Sequence, residues 1–167
     1  LLGGIPENYA IVLASPSCDE IQLLITRFLE AGAKAGETTL YVTCEAASTK
    51  ELVQQFPSNF SLLVCSLQAD LVVQSLPNVY KLKGIDNLTE IDIALTKFFR
   101  TLDQSQTTPR RACIDLISDV LLQHHAIITR KWLSGLLANL KSKGFTTLAV
   151  VDPNMHPPEE VQAVLGL

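Results

Sequence analysis

Residues 9–29, Tyr9-Ala-Ile-Val-Leu-Ala-Ser-Pro-Ser-Cys-Asp-Glu-Ile-Gln-Leu-Leu-Ile-Thr-Arg-Phe-Leu29, read as a buried strand, a tight turn and a helix, the setting in which a phosphate-binding loop sits. Such a loop needs glycines whose backbone wraps a phosphate, a lysine that reaches the terminal phosphates and a hydroxyl residue for magnesium. The turn here, Ser15-Pro16-Ser17-Cys18-Asp19-Glu20-Ile21-Gln22, has no glycine, no lysine and two carboxylates. Ser17 and Glu20 have Ser-x-x-Glu spacing, which predicts a capping box occupying the first amides of the helix. Asp19 and Glu20 also stand where the positive end of the helix dipole would attract an anion, each adding about 0.3–1 kcal/mol to the helix at low salt. A phosphate placed there would meet like charge. On these residues two readings stay open: a plain strand-to-helix connection, and an unusual nucleotide site.

Outward from this unit the pattern repeats. The first helix ends near Gly32 to Gly36, and 38–43 is a β-branched and aromatic strand. Ser48-Thr49-Lys50-Glu51 predicts a second capping box, opening a short helix through Leu52, Val53 and Phe56 that Pro57 ends. Short strands are predicted at 59–66 and 78–83 around a small helix at 69–76. Asn87-Leu88-Thr89-Glu90 caps a helix whose apolar residues Ile91, Ala94, Leu95, Phe98, Phe99 and Leu102 recur at helical spacing. After a polar loop at 104–109 come a strand at 112–117, an amphipathic helix at 129–143 stopped by Gly144, a strand at 146–151, a loop at 152–158 and a last helix at 159–165 with proline at its start. Strands alternating with helices predict a three-layer α/β fold around a mainly parallel sheet, in one domain over residues 1–167.

Composition narrows the function classes. With 167 residues, 47% of them hydrophobic, the chain is long and apolar enough to bury a real core. A net charge of -4 and only small basic groups argue against a nucleic-acid-coating surface, which needs clustered Lys and Arg. Arg110-Arg111, Arg130-Lys131 and Lys141-Ser142-Lys143 read as solvated strand flanks and helix ends. No run reaches the eighteen or so apolar residues of a membrane span, and Leu1-Leu2-Gly3-Gly4 lacks the basic region of a secretory signal, so a cytoplasmic location is expected. Cys18, Cys44, Cys65 and Cys113 lack Cys-x-x-Cys spacing and read as buried reduced thiols, with no metal site.

In parallel sheets ligands collect at the carboxyl ends of the strands, where Ser15, Glu45, Asp115 and Asp152 are predicted to fall. Asp115 interrupts an apolar strand, a costly place for a carboxylate unless it is hydrogen-bonded or does chemistry. His124-His125, Trp132 and Met155-His156 read as surface, packing and loop residues.

Gly3-Gly4-Ile5-Pro6-Glu7-Asn8, Tyr41-Val42-Thr43-Cys44-Glu45, Arg111-Ala112-Cys113-Ile114-Asp115-Leu116-Ile117-Ser118-Asp119, and Leu140-Lys141-Ser142-Lys143-Gly144 followed by a strand and Asp152-Pro153-Asn154-Met155-His156, resemble the RecA superfamily, specifically its archaeal KaiC-like and RadA-related branch. The resemblance spans almost the whole chain and implies a RecA-like, P-loop-NTPase-type fold, ring or filament assembly with nucleotide at subunit interfaces, and a final strand beyond Leu167. It matches Asp115 to the Walker B aspartate that helps hold magnesium, and Glu45 to the carboxylate that polarises the attacking water. Against the family's Gly-Pro-Pro-Gly-Thr-Gly-Lys-Thr loop only Pro16 is in register. Cys18 and Glu20 fall at glycine positions, Ile21 at the lysine and Gln22 at the magnesium-binding hydroxyl, and Ala46 stands where relatives often carry a second acid. Loss of the lysine and glycines removes most of the electrostatic stabilisation of phosphoryl transfer.

The expectation is therefore a degenerate RecA/KaiC-like pseudo-ATPase, a non-catalytic binding or regulatory module without a cofactor, that works with a protein partner or as a homo-oligomer. The alternative keeps ATP and magnesium at an atypical loop, in a role linked to DNA repair or signalling; a nucleic-acid-binding paralogue without ATPase activity is the third reading, and the acidic balance opposes it.

Overall fold

The computed structural model describes residues 4–166. Of the predicted lead-in, Leu1, Leu2 and Gly3 lie outside the described residues, as does Leu167. The chain runs β1 (Ala10–Ala14), α1 (Asp19–Lys34), β2 (Thr38–Thr43), α2 (Lys50–Gln55), β3 (Phe60–Cys65), α3 (Ala69–Val72), β4 (Val79–Leu82), α4 (Leu88–Arg100), β5 (Arg110–Asp115), α5 (Ile117–Ser142), β6 (Phe145–Val151) and α6 (Pro158–Leu165), with a 3-10 turn at Pro153–Met155. The six strands form one sheet in the order β1-β6-β5-β2-β3-β4, and every pairing is parallel. The expected three-layer α/β architecture is present.

Strand alternation builds the layers. Leu40, Val42, Ala112, Ile114, Ala149 and Val151 point to one face, where α4, α5 and α6 cover them. Their neighbours Tyr41, Leu62, Val64, Cys113, Leu148 and Val150 point to the other, where α1, α2 and α3 pack. Helix α1 meets that face through Ile21, Ile25, Leu29 and Ala33, a stripe of four-residue steps. Trp132 is a packing residue, buried on α5 with its indole N–H donating to Asp92 at 3.3 Å.

Several local expectations need correction. Neither capping box forms: the N-caps are Cys18 and Thr49, one residue later than Ser17 and Ser48, and neither makes a side-chain cap. Only Asn87 caps as predicted, accepting from the Thr89 N–H at 3.0 Å. The helix predicted at 69–76 stops at Val72. Strand β5 ends at Asp115, so this carboxylate closes the strand rather than interrupting it; Leu116 leaves extended geometry (φ -146°, ψ 13°) and α5 starts at Ile117. Helix α5 thus begins far upstream of the predicted 129, and it is broken at His125 (φ 62°, ψ 174°), a conformation strained for any residue with a Cβ. Cys18 is exposed and Cys44 half-buried; only Cys65 and Cys113 are the buried thiols predicted. Arg111 is not a solvated flank. Its guanidinium pairs with Glu37, donates to the Phe28 carbonyl oxygen at 2.8 Å and lies 4.9 Å from the centre of the Phe28 ring.

Candidate functional site

Because all strands run parallel, their carboxyl ends open on one side of the sheet, and a cavity of about 370 Å³ lies across the ends of β1, β6, β5 and β2. Of the eight residues in the turn after β1, Ser15, Ser17, Ile21 and Gln22 line it; Pro16, Cys18, Asp19 and Glu20 do not. Glu45, Asp115 and Asp152 all line it, so the polar residues expected at strand ends do meet.

Ile21 stands at the position matched to the phosphate-reaching lysine, yet it is a core residue, 5% exposed and packed in the layer between α1 and the sheet. Glu20 is turned to its own surroundings, its carboxyl held below the usual range by its own backbone N–H and by the Cys18 thiol. Backbone N–H of Ser17, the residue expected to cap α1, donates instead to Asp152 Oδ2 at 2.8 Å, tying the turn to the end of β6. Asp152 in turn caps the 3-10 turn through Asn154, and its own N–H donates to Ser118 Oγ at 2.9 Å. Burial works against ionising Asp152, but the bonds from Ser17 and Asn154 and the neighbouring His156 outweigh it and hold its carboxyl low.

Asp115 is different. Its carboxyl is pushed up to about 6, mainly by burial and further by Asp119, although the Tyr41 hydroxyl, donating to Oδ2 at 2.9 Å, pulls the other way. Asp119 is likewise raised by burial, and burial together with Asp119 pushes the Cys44 thiol up, so that it stays protonated at neutral pH. Glu45 accepts from the Ala47 N–H at 3.2 Å, within its own loop.

The walls therefore carry four carboxylates, Glu45, Asp115, Asp119 and Asp152, and neither lysine nor arginine. Among the described residues no three or more His, Cys, Asp or Glu are grouped to hold a metal ion.

The model of the KaiC ATPase family matches residues 1–165. The chain belongs to the KaiC family. Its parallel six-stranded sheet between helical layers is the RecA-like fold of that family, as the motifs implied. No curated protein sequence matches the chain significantly. No helix among the described residues is long and apolar enough to cross a membrane.

Sequence reasoning passed over two residues that shape this KaiC-family cavity. Tyr41 sat inside a predicted strand, where its alternation gave a core position and no hint that its hydroxyl reaches the end of β5. Asp119 closes the Arg111–Asp119 segment that carries the family resemblance, and a strand predicted through Ile117 gives it no place at the start of a helix beside Asp115. For Asp119 the available signal was the short distance from the strand-ending Asp115, which puts it in the first turn of the helix that follows; for Tyr41 no local signal existed.

Proposed function

We propose that this KaiC-family domain is a pseudo-ATPase, a non-catalytic binding or regulatory module of the archaeal, RadA-related kind that acts in the cytoplasm with a protein partner or with further copies of itself. One observation carries the reading: the cavity in the nucleotide position is walled by four carboxylates without a single cation, and the lysine position is filled by the buried Ile21. A triphosphate brought there would lose its hydration and gain repulsion, because phosphate binding rests on positive charge and free amides. The residues do not fit magnesium-bound ATP, and no chemical step is assigned to the site.

The meeting of Asp115 with Glu45 at one cavity favours a second reading, an atypical ATP-binding ATPase linked to DNA repair or signalling, in which these two acids serve metal and water. Calorimetric titration of the purified protein with ATP and ADP, with and without magnesium, separates the two. The pseudo-ATPase gives no heat of binding at millimolar nucleotide; saturable ATP binding in the micromolar range, lost in Asp115→Ala with the fold intact, establishes the second reading instead.

A further inference from the structure

The carboxyl ends of β2 and β3 open on another cavity, of about 870 Å³, which shares only Cys44 and Asp119 with the one described above. Two thiols lie in its wall, those of Cys44 and Cys65. Strand register sets Thr43 beside Val64, so the next pair along these two parallel strands is Cys44 and Cys65. Both belong to the face that α4 and α5 cover: Cys65 is buried in that core, and the half-buried Cys44 packs against it. Register alone brings them together, which is why the spacing of the cysteines along the chain shows no metal motif.

Side chains that leave one face of neighbouring strands start about 4.8 Å apart. A disulfide needs Cβ atoms about 3.5–4.5 Å apart, so direct oxidation would have to pull the strands together, whereas an ion between the sulfurs needs no such movement. The ligand set selects the ion. Thiol sulfurs are soft ligands, and among the described residues no three or more His, Cys, Asp or Glu are grouped to hold a metal, so the four-ligand set of structural zinc is missing. A soft cation that is satisfied by two sulfurs fits. The Cys44 thiol donates to the Asp119 carboxylate, and Lys83, exposed and in no ion pair among the described residues, stands in the same wall. The cavity opens on solvent past the exposed Leu67 and Leu122, which gives an ion its entry path.

We infer that Cys44 and Cys65 hold one copper(I) ion between their sulfurs. Two Cu–S bonds form and two S–H bonds break. Both protons leave to solvent, that of Cys44 by way of Asp119, and copper stays monovalent, so no oxidant or reductant takes part. The ion and two thiolates carry one net negative charge, which the Lys83 ammonium offsets. The inference rests on neither reading of the nucleotide position.

The test titrates the whole chain, reduced and free of oxygen, with copper(I) against the chelator bathocuproine disulfonate. One ion per chain is expected to pass from the chelator to the protein. Cys44→Ser and Cys65→Ala each remove one of only two ligands and should weaken binding by about a hundredfold or more. Cys18→Ser, which changes an exposed thiol outside this cavity, leaves binding unchanged, and circular dichroism verifies that the three variants are folded. X-ray absorption at the copper edge of the wild-type complex, which needs no variant, is expected to show two sulfur ligands. No transfer from the chelator, one ion shared between two chains, nitrogen or oxygen ligands at copper, full affinity in either Cys44→Ser or Cys65→Ala, or an equal loss in Cys18→Ser overturns the inference.

Discussion

At the amino end of the sheet, Arg111 has every nitrogen engaged, two on Glu37 and one on the Phe28 carbonyl oxygen, with an aromatic ring against its face. At the carboxyl end, four carboxylates look into one cavity with no cation in its walls, and burial lifts two of them above their usual range. One end resolves its charge inside the chain and gains stability from it. The other leaves charge unresolved, which costs stability, and in a folded domain an unresolved cluster marks the place where fold and function pull apart.

The largest effect is expected at the resolved end. Arg111→Ala strands a half-buried Glu37 and empties the space against Gly32, and should lower unfolding free energy by about 2–4 kcal/mol in urea titration. Gly32→Ala should cost about 1–3 kcal/mol through the clash with Arg111, and much less when made in Arg111→Ala, because the colliding side chain is then gone. Additive effects of the two changes would mean that the contact is not the cause.

At the unresolved end the sign reverses. A carboxyl raised from 3.8 to about 6 in the folded state binds its proton more tightly there than in the unfolded chain, so its contribution is full below pH 3.8 and is lost as the pH rises through 6. Asp115→Asn keeps an acceptor for Tyr41 and removes that loss. The variant should be more stable than the wild type by about 1–3 kcal/mol at pH 7, similar to it near pH 4, and flatter in between. Tyr41→Phe should cost about 1 kcal/mol and move the wild-type decline to higher pH, since the hydroxyl favours the ionised carboxylate. An unchanged pH profile in this variant would break the link between the two residues. The smallest effect belongs to Ser17→Ala, within about 0.5 kcal/mol by thermal unfolding, because the Ser17 backbone N–H bond to Asp152 survives the change and the exposed hydroxyl caps nothing; a loss of a full cap would restore the capping-box reading.

Elements were legible in the sequence where their signals are local. Helix α4 announced itself by its Asn87 cap and its apolar spacing, and β2 and β6 by continuous β-branched runs. The first half of α5 was not legible, because 117–128 combines an apolar start with a histidine pair and a break at His125 that no spacing predicts. Ser17 and Ser48 carry the right capping-box spacing, yet each helix starts one residue later: Ser17 is held by Asp152 from the end of β6, a partner 135 residues away, and at the second helix Thr49 is held by the local turn to the Ala46 carbonyl oxygen.

By itself the sequence determined the alternation of strands and helices, the parallel three-layer class that follows from it, the family motifs, and the lack of glycine and lysine in the turn after β1. These depend on neighbours along the chain, through periodicity, capping and turn composition. Only the tertiary structure decided which charges meet. Tyr41 reaches Asp115 across 74 residues because β2 pairs with β5 in a register that sets Thr43 beside Asp115, and Arg111 finds Glu37 at the other end of the same pair of strands. Strand register is set by how the whole sheet buries its two faces, so the electrostatics at its ends is a property of the packed molecule.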